Sequence, residues 1–214
     1  MMTPEQFDRE VAIIRQPPDP PGHSRREALE RLRMAAFDPS DDGFPRMKYQ
    51  QLLQELALDA DEIMRRAAIS DLASQKDEII QKRLLDGLSG DAPPLVPDEW
   101  ALQLLAYDTH RAFVDIYRRF ADDRDKRESV RIEAIRGLGG DHASAERLAR
   151  MMADKTEPAA IRLWSGLSLR ALAPPMFARL ASQLIKGPAD ATSGDVRNMC
   201  EVALRTSPTL KDYL

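Results

Sequence analysis

What most restricts the fold of this chain is a frame built on an arginine that returns about every 33 residues. In Val130-Arg131-Ile132-Glu133-Ala134-Ile135-Arg136-Gly137-Leu138-Gly139, Ala134 and Leu138 follow Arg131 at +3 and +7. Residues three and four apart stack along a helix, so Val130, Ala134, Ile135 and Leu138 share one face. Met64-Arg65 leads in the same way to Ala68, Ile69 and Leu72. Ile161-Arg162 leads to Ser165 and Leu169, and Val196-Arg197 to Cys200 and Leu204. The last three arginines stand 31 and 35 residues apart, whereas 66 residues, two periods of 33, separate Arg65 from Arg131. A further copy is therefore expected near position 98. Pro97-Asp98-Glu99-Trp100-Ala101-Leu102 supplies it, with Ala101 at +3, Leu105 at +7 and Asp98 where the other copies carry arginine. Ser24-Arg25 with Ala28, Leu29 and Leu32 is an earlier one. Six copies predict a repeat protein whose units pack on their neighbours.

Proline and glycine mark the joints. Residues 4–15 read as a first amphipathic helix with Phe7, Val11 and Ile14 on one side, stopped by Pro17-Pro18-Asp19-Pro20-Pro21-Gly22. A second helix is expected over 24–36, and Asp38 to Pro45 is the longest break. Beyond it the pattern predicts helix pairs at 47–58 and 62–73, 76–88 and 97–106, 109–121 and 127–138, 143–153 and 158–171, and 175–186 and 193–206. Pro158 falls where a first-turn proline is tolerated, and Asp141, Ser193 and Asp195 suit helix starts. Strand alternation is missing. The expected fold is all-α, an α-solenoid of about six antiparallel helix pairs. It forms a single domain over 1–214, with an atypical N-terminal cap at 1–46, regular repeats at 47–206 and a tail at 207–214.

Two helices per unit at this period leave few repeat families. The Trp/Gly/Tyr signature of tetratricopeptide repeats and the Thr-Pro-Leu-His of ankyrin are both missing. An Asp-containing turn followed by Val-Arg, with Ala at +3 and Leu at +7, resembles the HEAT repeat. The likeness is to the short armadillo-like form common in bacteria and in phycobilisome-lyase-type proteins. It is clear over 47–206 and fainter over 1–46. It implies a HEAT-like superhelix in which the motif's Asp and Arg tie neighbouring repeats together: Asp59 or Asp61 with Arg65, Asp123 or Asp125 with Arg131, and Asp190 with Arg197. On that resemblance Arg65, Arg131, Arg162, Arg197, Asp59 and Asp125 are structural. The copy carrying Asp98 departs from the pattern, so its tie is either replaced or its joint is looser.

Composition narrows the function classes. A net charge of −4 argues against duplex nucleic acid as the main partner, because phosphate binding rests on clustered cations. One cysteine allows no internal disulfide and fits a reducing compartment. Nowhere do 18 apolar residues run together, so no membrane span is expected. Met-Met-Thr-Pro-Glu-Gln lacks the basic-then-apolar order of a signal peptide, and a soluble cytoplasmic protein is expected. His23, His110 and His142 have no ligand-spaced neighbour. Gly137-Leu138-Gly139-Gly140 follows no strand, and Asp122-Asp123-Arg124-Asp125 lacks a calcium-loop pattern. Cys200, at a core position of the last copy, reads as a buried inert thiol. Arg25-Arg26 and Arg118-Arg119 read as solvated basic pairs. No catalytic residue, cofactor or metal site is expected.

Stacked hairpins line an inner hollow with their second helices. If positions −1, +3, +4 and +7 from the arginine face the core, then +1, +5 and +8 face the hollow. In the C-terminal half these are Ile132 and Arg136, Leu163, Leu167 and Arg170, and Val202 and Arg205. An apolar run edged by arginine suits a protein-binding groove; alternatively, tight curvature buries these positions against the next repeat. Trp164, beside the run, is either an interface anchor or a filler between hairpins, as is Trp100 at the same place in the copy that carries Asp98. Gly166, in mid-helix, suits close helix approach. The leading expectation is a non-catalytic scaffold or adaptor that holds a partner protein segment. One alternative is a HEAT-like DNA-binding protein or DNA glycosylase, since Arg33, Arg170 and Arg205 occupy +8; against it, the groove also carries Glu30 and Glu99. The other is a chaperone or lyase for a bilin, implied by the resemblance alone.

Overall fold

The computed structural model describes residues 2–17, 23–38, 44–107, 113–187, 194–207, 210 and 213, without the side chains of His23, Phe44 and Pro45. His110, Asp190 and Ser193, with much of the breaks at 17–22 and 38–45 and of the tail, lie outside the described residues. Among the described residues the chain forms twelve α-helices and no strand. They are α1 (Pro4–Ile14), α2 (His23–Ala36), α3 (Phe44–Leu56), α4 (Glu62–Ser74), α5 (Glu78–Ser89), α6 (Asp98–Leu105), α7 (Val114–Asp122), α8 (Glu128–Gly137), α9 (Ala145–Ala153), α10 (Ala159–Leu172), α11 (Pro174–Lys186) and α12 (Gly194–Thr206).

Local chemistry sets these bounds. Thr3 caps α1 in a reciprocal box with Gln6, and Asp61 accepts the Ile63 N–H at 2.9 Å to start α4. The helix expected from 76 begins two residues later. Lys76 adopts a left-handed φ of 58°, which places the Asp77 carboxylate on the Ile80 N–H as a cap. Before α9, His142–Ser144 forms a tight 3-10 turn rather than α-helix, entered from Asp141.

The chain divides into two compact units, residues 1–81 and 82–214. In the first, α1 packs on α2, α2 on α3 and α3 on α4. Tyr49 is buried there and donates its hydroxyl to Asp71 at 2.6 Å. Burial, then that carboxylate, pushes the phenol's pKa up. In the second, α7 pairs with α8, α9 with α10 and α11 with α12. α8 also packs on α6 and α10, α10 also packs on α12, and α9 packs on α11. Thus α8 stands between α6 and α10, and α10 between α8 and α12.

The frame sets which side of each helix is buried. Ala28, Ala68, Ala101, Ala134, Ser165 and Cys200, all at +3, are at most 3% exposed, and Leu32, Leu72, Leu105, Leu138 and Leu169, at +7, are fully buried. Each such leucine contributes about 1.5–3 kcal/mol. The last copy is rotated: Ala203 at +6 is buried, whereas Glu201 at +4 is exposed and pairs with Arg197 at 3.2 Å. Two glycines set helix spacing. A Cβ on Gly137 would lie 2.4 Å from the Tyr117 ring, and one on Gly166 would meet Met199 Cε at 2.5 Å and Met152 Sδ at 3.2 Å.

Candidate functional site

Four of the five frame arginines cap the helix before their own. Arg25 Nε donates to the Ile14 carbonyl at 2.7 Å, Arg131 Nε to Ala121 at 3.0 Å and Arg162 Nε to Met152 at 3.1 Å. Arg197 Nη1 reaches the Gly187 carbonyl at 3.5 Å. Each acceptor lies at the C-terminal end of α1, α7, α9 or α11, where carbonyls lack intrahelical partners and the helix dipole favours a cation. Three of these side chains are consequently buried: Arg25, Arg131 and Arg162. Arg25 is thus no solvated basic pair with Arg26; it is 4% exposed. Arg118 is likewise engaged, bonding Asp141 at 2.6 Å and Ser144 at 3.1 Å.

Beyond the cap, two of these guanidinium groups reach forward into the following copy. Arg25 bonds Asp59 at 2.6 Å and Asp61 at 3.3 Å, and Arg131 bonds Glu157 Oε1 at 3.0 Å and lies 2.8 Å from Oε2 in a buried ion pair. This corrects the partners that the resemblance implies for Arg65 and Arg131. Arg65 donates to the Asp59 main-chain carbonyl at 2.7 Å rather than to its carboxylate. Asp123 accepts the Asp125 N–H at 3.0 Å, shaping its own turn, and Arg131 turns away from both. Asp154 takes the Thr156 N–H and hydroxyl, which, with a smaller contribution from Arg124, lower its pKa. Asp190 is outside the described residues.

The copy without an arginine keeps a tie of inverted sign. Asp98 bonds Lys126 at 2.8 Å, and Lys126 stands five residues before Arg131 just as Glu157 stands five before Arg162. Glu99 adds a bond from the Ser129 hydroxyl at 2.8 Å. The joint is replaced, with the acid on the helix and the cation in the next turn.

The groove residues named from the frame all belong to the second unit. Ile132, Leu163, Trp164 and Leu167 are half-buried, Val202 is 38% exposed, and Arg136, Arg170 and Arg205 are exposed. The Arg136 guanidinium lies 5.3 Å from the Trp164 ring centroid, joining the outer edges of α8 and α10 in a cation–π contact. Arg136 also bonds Glu133 at 2.8 Å. Arg170 and Arg205 make no side-chain hydrogen bond or ion pair among the described residues. Leu163, Leu167 and Arg170 recur at helical spacing, so they share one edge of α10. Apart from Arg162, which is buried, Arg170 is the only charged residue of α10.

Other chemistry is sparse. Burial pushes the Cys200 thiol up to about 11, so it stays protonated near neutral pH. Among the described residues no group of three His, Cys, Asp or Glu side chains is arranged to hold a metal, and no helix is long and apolar enough to cross a membrane. The face formed by α7 and α9 carries a cavity of about 340 Å³ lined by Asp122, Arg124, Arg147, Arg150, Asp154 and Glu157, three cations against three acids. Arg147 pairs with Asp122 there. In comparison with known proteins, no family model matches the chain and no curated protein aligns with it.

Proposed function

We propose that the chain is a non-catalytic scaffold, a HEAT-like α-solenoid that works in the cytoplasm and holds a segment of a partner protein across α8, α10 and α12. The observation that carries this reading is the strip Ile132, Leu163, Trp164, Leu167 and Val202, left at least partly open and edged by Arg136, Arg170 and Arg205. Apolar side chains with an aromatic and arginines among them are the composition enriched at protein interfaces. The recurrence of one packing relation, α6 to α8 to α10 to α12, supports the solenoid reading. The test is capture of a partner from the native cell by the full chain, by Leu167→Asp and by Arg150→Asp on the face of α9. Leu167→Asp should abolish capture with the circular dichroism spectrum unchanged, while Arg150→Asp should retain it. Equal capture by all three would refute the reading.

A further inference from the structure

We infer that the segment held across α8, α10 and α12 is apolar and acidic, with carboxylates placed to meet Arg170 and Arg205. This rests on the interaction-face reading and specifies its partner by charge. Arg131 and Glu157, Arg25 and Asp59, Arg118 and Asp141, and Asp98 and Lys126 all pair within the chain. Arg170 and Arg205, in the same position of successive copies, do not, although the chain as a whole carries an excess of acid. Both are exposed beside apolar side chains, Leu167 and Val202, and α10 has no acid along its whole length. A carboxylate docking between apolar contacts gains a charge-assisted, bidentate bond that partial desolvation strengthens.

The helices also set a spacing. Packed helices lie about 8–10 Å apart, so matching positions on α10 and α12 are separated by about that distance. An extended segment crossing both helices covers it in about three residues. A helical segment covers it in about six or seven residues. Arg136 is already occupied by Glu133 and the Trp164 ring, so two acids, rather than three, are what the face calls for. A polyphosphate chain would also meet arginines, but the apolar strip between them has no use for a sugar–phosphate backbone.

The experiment is selection of a displayed library of random 16-residue peptides on the full chain, with parallel selections on Leu167→Asp and on the double variant Arg170→Glu/Arg205→Glu. The double variant alters only exposed side chains without internal bonds, and circular dichroism checks its fold. The expected result is enrichment of peptides with two Asp or Glu residues among apolar ones. Their binding should weaken as salt rises and fall more than about tenfold in the double variant. The double variant should in turn select lysine-bearing peptides. Binders lost in Leu167→Asp but without acidic enrichment would overturn the charge inference and leave the interaction face standing. No binders, or binders indifferent to Leu167→Asp, would overturn both. A single-stranded DNA or RNA oligonucleotide that displaces the selected peptides and binds more tightly than they do would overturn the inference in favour of phosphate.

Discussion

Replacing Arg131 by methionine should destabilise the second unit far more than a typical surface arginine would. The substitution keeps most of the apolar stem and removes two hydrogen bonds, Nε to the Ala121 carbonyl and Nη2 to Glu157 Oε1, both at 3.0 Å, together with the ion-pair contact to Glu157 Oε2 at 2.8 Å. The Arg131 and Glu157 side chains are 4% and 5% exposed, so the carboxylate left behind stays out of water. Breaking one partner of such a pair costs about 3–5 kcal/mol, and orphaning the carbonyl about 1 kcal/mol. Arg124, 3.0 Å from Glu157, offsets part of this, so about 3–4 kcal/mol is expected. That corresponds to a Tm lowered by roughly 6–16 °C for a chain of this size. Urea titration followed by circular dichroism, with calorimetry alongside, measures it. Arg131→Met combined with Glu157→Leu should return to within about 1–2 kcal/mol of the parent, because no buried charge then lacks a counterion. A single-variant loss below about 1 kcal/mol, or strictly additive losses, would refute the claim that the buried arginine ties one copy to the next.

The inverted tie makes a second cycle: Asp98→Arg and Lys126→Glu should each lower stability by up to about 1 kcal/mol, as befits a half-exposed pair, and together should restore the urea midpoint. Gly137→Ala should cost about 2–3 kcal/mol by calorimetry, since its Cβ would meet the Tyr117 ring at 2.4 Å. Gly166→Ala should cost less, because flexible methionine ends can shift. Ser165→Ala should raise stability by about 1 kcal/mol, because the buried hydroxyl has no partner and the equivalent site is alanine in four other copies. Asp77 gives the first unit an acid limb. Burial opposes its ionisation, but bonds from Gln50, the Ile80 N–H and Gln54 outweigh it and lower the pKa. A lowered native value means stability that is full above the ordinary Asp range and lost as pH falls through the native value. Asp77→Asn should therefore flatten the fall in urea midpoint between about pH 5 and pH 2.

Much of the helical organisation was legible because alanine at +3 and leucine at +7 leave little choice of face. The arginine's own role was less so. Its first partner is a main-chain carbonyl about ten residues earlier, which any residue supplies, and its second, Asp59 or Glu157, sits in the next copy at no constant offset. The resemblance implies Asp59 or Asp61 as the partner of Arg65 and Asp123 or Asp125 as the partner of Arg131, whereas in the fold Arg25 reaches Asp59 and Asp61, and Arg131 reaches Glu157. Two helices also depart from the count. Ala73, at +8, is buried at the turn where left-handed Lys76 brings Asp77 back to Gln50 and Gln54. On α12 the buried side shifts toward Ala203, and Glu201, at +4, is exposed. On α8 and α10 the buried positions are those of the count: Val130, Ala134, Ile135 and Leu138, and Ile161, Ser165, Gly166 and Leu169.

The measurement that bears most directly on the interaction face is photocrosslinking in the native cell with benzoylphenylalanine at position 167, compared with position 150. A discrete crosslinked partner is expected at 167, lost when Arg170→Glu/Arg205→Glu is added, and none at 150. The same adduct from both positions, or an adduct at 150 alone, would contradict it.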